Sequence, residues 1–152
     1  MVSSAMSLDE LQKYGQSKAS EISQRRERRK VELEKASSDA KLKAVWAGRL
    51  WEQVLATVGQ RAKAVNDALG EKALSCEAVR DDLLIVRVAQ VSSNLSAAYD
   101  PSTGRVTLTL DDHTESYDLE VVKGEVKFKA VGYFSPTQVA KMLVDKAASL
   151  VL

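Results

Sequence analysis

Cysteine is almost missing from this chain: Cys76 stands alone among 152 residues. One thiol excludes an internal disulfide and a thiolate zinc cluster alike, and it suits a reducing compartment. Excess charge of either sign is missing too. Twenty-two basic against 21 acidic side chains leave a net +1, so no strong overall field draws the molecule toward nucleic acid or a membrane. Long apolar runs are absent. The longest strictly aliphatic stretch is "LLIV" at 83–86, against the ~20 residues that cross a bilayer. The opening "MVSSAMSLDELQKYG" carries no basic leader, no apolar core of signal-peptide length and no cleavage pattern. A cytoplasmic location without membrane association is therefore the expectation. The length suits one domain of common size, able to bury roughly 68–70% of its unfolded surface. Neither a metal nor a disulfide is needed to hold it together.

The residues of catalysis are equally thin. His113 is the only histidine, following Asp111 and Asp112 in what reads as a hairpin turn. Aspartate favours such bends, and three consecutive side chains in a tight turn diverge rather than converge on a metal. No G-x-S-x-G elbow, phosphate-binding G-x-x-x-x-G-K-[ST] or G-x-G-x-x-G occurs. Cys76 sits in an alternating apolar stretch, which predicts a buried, inert thiol. Asp81 and Asp82 are read as a turn; neighbours at a hairpin tip are not carboxylates held apart across a cleft. The chain is expected not to be an enzyme, with no catalytic residue, no cofactor and no metal site.

What the chain does have is strong helical and strand patterning. Ser7 and Glu10 form a candidate capping box, and no proline follows as far as Lys35. Only Gly15 weakens the helix. Its apolar residues Leu8, Leu11, Ile22, Val31 and Leu33 do not read as one stripe, and a helix polar all round relies on charge pairs and partners. Glu21–Arg25, Arg28–Glu32 and Lys30–Glu34 stand four apart, each pair contributing about 0.2–0.5 kcal/mol. Residues 1–38 are accordingly read as a mobile helical arm, either separate from the next helix or continuous with it, preceding a globular domain over 39–152.

The stretch 38–70 differs. Trp46, Ala47, Leu50, Trp51, Val54, Leu55, Val58, Ala62, Val65 and Leu69 share one half of a helical wheel. Ser38 or Asp39 is the predicted cap, and Gly70 the left-handed residue at the end. Thirty residues at ~1.5 Å each span ~45 Å, more than the width of a small domain, so part of this helix is expected to project beyond the sheet. After Gly70 the period becomes alternating. "ALSCEAV", "LLIVRVAQV", "LSAAY", "RVTLTL", "ESYDLEV" and "EVKFKAV" predict an antiparallel meander of five to six strands, since turn-rich links this short exclude parallel crossovers.

A two-residue loop at Lys123–Gly124 sets a definite register. Glu120 then faces Lys127 and Asp118 faces Lys129, with Leu119 against Phe128 and Val121 against Val126 on the other face. Ser135, Pro136 and Gln138 specify the start of a closing helix, stapled by Phe134 and Val139. That helix offers the stripe Val139, Met142, Leu143, Ala147 and Leu150. The predicted class is thus α+β: a long N-terminal helical segment, the meander, and a C-terminal amphipathic helix packed with the central helix on one sheet face. Arg105, Thr107, Thr109, Ser116, Asp118, Glu120, Lys127 and Lys129 are left on the other face.

Function is sought in what this packing does not use. "QRRERRK" gathers Arg25, Arg26, Arg28, Arg29 and Lys30, yet residues 1–38 hold eight basic and six acidic side chains, an excess of two. The cations point around the helix with no aromatic between them for base stacking. Trp46 and Trp51 are expected as core anchors, and one of them at an interface if the helix overhangs. The favoured expectation is a non-catalytic interaction or assembly protein that engages another protein, or itself, through the long helix and charged arm. Nucleic acid or another polyanion bound by residues 24–30 is the alternative. A ligand cavity between sheet and helices ranks third.

Overall fold

The computed structural model describes residues 7–152. The expected arm begins at residue 1, so its first six positions lie outside the described residues. Helix α1 runs from Leu8 to Leu69 as one element. Its start is the predicted capping box: the Glu10 amide donates to Ser7 Oγ at 3.2 Å and the Ser7 amide to Glu10 Oε2 at 3.1 Å. Ser38 and Asp39, expected to cap a second helix, instead lie inside α1. Nothing there breaks the helix, because no proline intervenes and the Ser/Asp preference for caps is weaker than the propagation of an existing helix. Gly70, at φ 70°, follows its last residue as predicted.

The described residues fall into two units, 7–40 and 41–152. In the first, every residue from 7 to 38 is exposed. In the second, Ala47, Leu50, Trp51, Val54, Val58 and Ala62 of α1 are buried.

The sheet is a seven-stranded antiparallel meander in strict sequence order: β1 Leu74–Arg80, β2 Leu83–Val88, β3 Leu95–Tyr99, β4 Val106–Leu110, β5 Thr114–Val122, β6 Glu125–Lys129 and β7 Tyr133–Phe134. The strand count exceeds the expected five to six. The addition is β7, whose pairs are Phe128 with Phe134 and Lys129 with Tyr133. Two residues carry no readable alternation, and the cap signal of the following helix overlaps them. The β5–β6 hairpin has the predicted register, Asp118 opposite Lys129 through Val121 opposite Val126. Lys123 at φ 51° and Gly124 at φ 79° make its two-residue loop, the twist-matched kind in which both residues are left-handed.

Alternation puts one side of each strand inward. Leu84, Val86, Leu95, Ala97, Val106, Leu108, Tyr117, Leu119 and Phe128 join the buried α1 residues and those of α2 (Pro136–Ser149) in one core. Helix α2 lies over β2, β3, β4 and β7. Its predicted start is present: the Gln138 amide donates to Ser135 Oγ, and the Ser135 amide to Gln138 Oε1 at 2.8 Å. Tyr117 meets Phe128 and Phe134 edge-on, at ring separations of 6.4 and 5.3 Å. No buried polar or charged residue interrupts this core among the described residues, so its cohesion is that of apolar burial and close packing.

Candidate interaction surfaces

The five cations of the arm are all exposed, and none joins an ion pair among the described residues. The expected pairs Glu21–Arg25, Arg28–Glu32 and Lys30–Glu34 do not form. Glu21 pairs instead with Lys18 at 3.4 Å, and Asp9 with Lys13 at 3.4 Å. Long side chains on an exposed helix lose more rotamer entropy than a screened pair returns, so spacing alone does not fix the partner. Arg28 reaches only back to the Gln24 carbonyl, at 3.5 Å.

The apolar residues of this helix also lie differently from the expectation. At ~100° per residue, Leu8, Leu11, Ile22 and Leu33 fall within ~60° of one another, while Val31 takes the opposite face. The expectation that these residues never share a stripe is therefore corrected. Leu11, Ile22 and Leu33 recur every eleven residues, close to three whole turns. A search for neighbours three and four apart passes over so sparse a line.

The two tryptophans part company. Trp51 is 4% exposed, stacks on Tyr99 with ring centroids 5.4 Å apart, and donates its indole N–H to the Asp81 carbonyl at 2.8 Å. It anchors α1 to β3 and to the β1–β2 turn. Trp46 is 37% exposed, with the Arg49 guanidinium 5.1 Å above its ring. Beside it a recess of about 370 Å³ is lined by Leu50, Gln53, Gly124, Glu125 and Val126.

A larger open groove, about 640 Å³, runs between the end of α1 and β1. Asn66 spans it. Its side-chain amide donates to the Leu74 carbonyl at 2.8 Å, and its oxygen accepts from the Leu74 amide at 2.9 Å. Cys76 lies on the wall and is exposed, which overturns the expected buried thiol. The register places it opposite Val86, on the inner face. Strand β1 is an edge of the sheet, however, and neither helix covers it there. Partial desolvation pushes its thiol pKa up, away from the thiolate that a nucleophile requires.

The β4–β5 turn behaves as turn chemistry with electrostatic additions. His113 Nδ1 is 2.9 Å from Asp112 Oδ1, and Lys146 Nζ is 3.8 Å from the same oxygen. The hydrogen bond to Asp112 raises the His113 pKa, and its counterpart lowers that of Asp112. Behind the turn the Tyr117 hydroxyl donates to Glu115 Oε2 at 2.6 Å, its pKa raised by burial first and by Glu115 second. No cluster of three or more metal-ligating side chains occurs among the described residues.

On the outer sheet face, Arg105 pairs with Asp118 at 2.7 Å and Thr107 meets Ser116 at 3.3 Å. Asp118 thus prefers Arg105 to the Lys129 opposite it, and Lys129 lies over the Tyr133 ring, 4.4 Å from its centre. Among the described residues no helix is long and apolar enough to cross a membrane. In comparison with known proteins, the chain matches no family model, no curated protein and no solved structure.

Proposed function

We propose that this is a non-catalytic interaction or assembly protein that engages a protein partner through the first part of α1. The observation that carries the reading is the run of helix from Leu8 to residue 38 in which every side chain is exposed. Helices in water draw most of their stability from packing an apolar face, and one without such packing is marginal. The exposed line of Leu8, Leu11, Ile22 and Leu33 is the natural face for a partner to cover. Trp51 is taken up by the core, so of the two tryptophans only Trp46 is left open to solvent.

Affinity capture with the full chain tests this, against the variant carrying Leu11→Asp and Leu33→Asp. Recovery of a specific protein, a differently tagged second copy included, that the variant loses is the expected outcome. Equal recovery by both chains, or recovery of nothing, sinks the reading.

The unpaired state of Arg25, Arg26, Arg28, Arg29 and Lys30 favours a second reading, binding of nucleic acid or another polyanion. Each phosphate neutralised adds about 0.7–0.9 to the slope of log affinity against log salt. Arg25→Gln with Arg26→Gln, Arg28→Gln and Arg29→Gln should then flatten the slope measured with a labelled oligonucleotide. An unchanged slope excludes this use of the arm.

A further inference from the structure

We propose that the partner of the exposed helix is a second copy of the same segment, packed antiparallel with Ile22 on the two-fold axis. This rests on the reading that the first part of α1 engages a protein, and it names that protein. Leu8, Leu11, Ile22 and Leu33 are 85%, 51%, 38% and 65% exposed, and they share one face of the helix.

Their spacing is itself symmetric. Leu11 and Leu33 stand equally far on either side of Ile22. A two-fold axis at Ile22 therefore sets each Leu11 against the Leu33 of the other copy and the two Ile22 side chains against each other. Leu8 meets Ala36, Gly15 falls level with Arg29, and Arg26, the second long cation on this face, falls level with Lys18 on the opposite flank. An isologous contact of this kind closes on itself and goes no further. An eleven-residue repeat keeps such a seam on one face with a gentle right-handed supercoil.

Charge selects the antiparallel arrangement. A parallel pair in register would set Arg25–Lys30 directly against the same five cations. The antiparallel pair separates the two cation clusters by about 16 Å along the axis, roughly twice the screening length at physiological salt. It also brings Glu21, next to the two-fold, within about one turn of the other copy's Arg25, on the same flank and twice by symmetry. Arg25 has no ion-pair partner among the described residues of its own chain.

The seam is sparse, so the dimer should form in a concentration-dependent way. Light scattering and sedimentation of the full chain over a dilution series should show monomer passing to dimer. Ile22→Asp should raise the dissociation constant by about tenfold or more without moving the thermal transition of residues 41–152, which shows that the variant is folded. Orientation is read by cross-linking in a Cys76→Ser background. Ile22→Cys should oxidise to a covalent dimer by itself. Leu11→Cys should not, but should cross-link when mixed with Leu33→Cys. A strict monomer at every concentration overturns the proposal, as does a dimer in which Leu11→Cys links to itself or Ile22→Cys fails to link. A monomer that still captures a different protein through the arm overturns it while leaving the broader interaction reading intact.

Discussion

Asn66 does with one side chain what a neighbouring strand does with a whole backbone. Its amide meets both the carbonyl and the N–H of Leu74, at 2.8 and 2.9 Å, where β1 begins and the chain has just left α1. Leu74 is 1% exposed, so water is a poor substitute for those bonds. Asn66→Ala should lower stability by about 2 kcal/mol in urea denaturation, the sum of two lost bonds with a backbone pair left short of partners. Faster hydrogen exchange should concentrate in β1. His113 makes an electrostatic prediction at the same scale. Its pKa is raised in the folded chain by Asp112, so the folded state binds the proton more tightly than the unfolded one. That contribution is fully present below the unfolded value near ~6.5 and disappears as pH rises through the folded value. An NMR titration should place the His113 midpoint above that of an unfolded histidine, and Asp112→Asn should bring it back down. Neither Asn66 nor the exposure of Cys76 is legible in sequence, because each depends on which element ends beside which.

At the scale of elements, the β5–β6 hairpin was legible because its information is local. Turn residues, alternation and charge placement all specify the same register, and a slip of one residue would reverse both faces. The loop nevertheless holds a non-glycine residue, Lys123, at φ 51°. Asparagine tolerates that conformation better. Lys123→Asn should therefore raise stability by about 0.5 kcal/mol, read as a shift in the denaturation midpoint at constant slope. The ion pairs expected across this hairpin were less legible. Asp118 goes to Arg105 of the neighbouring strand, and Glu120 accepts from the Tyr133 hydroxyl at 2.9 Å. Register decides which side chains stand opposite; reach and competition among exposed groups decide which ones bond. The capping boxes at Ser7 and Ser135 formed as read, since each needs only four consecutive residues.

For the whole molecule, stability must be uneven. The core of residues 41–152 has buried apolar side chains from α1, the sheet and α2, whereas residues 8–38 have none. Far-UV circular dichroism of dilute protein should show a broad, weakly cooperative loss of helix at low temperature, then a sharp transition of the core. Glycine at position 15 inside the exposed helix adds to that weakness by about 1 kcal/mol relative to alanine. A single sharp transition at every concentration would mean that the exposed helix is held as firmly as the core. That outcome excludes an uneven distribution of stability.

By itself the sequence determined the class, the meander, the hairpin register and both capped helix starts. All of these rest on interactions between residues a few positions apart, or on a period of two or near four that any one element displays alone. Only the tertiary structure decided that Trp51 is buried while Trp46 remains open, that Cys76 lies on an uncovered edge, and that Asn66 holds β1. It also carried α1 without interruption from Leu8 to Leu69, past the cap residues Ser38 and Asp39. The physical reason is common to these cases. Burial and pairing belong to surfaces that meet across long sequence separations, and no local pattern records where one surface stops covering another.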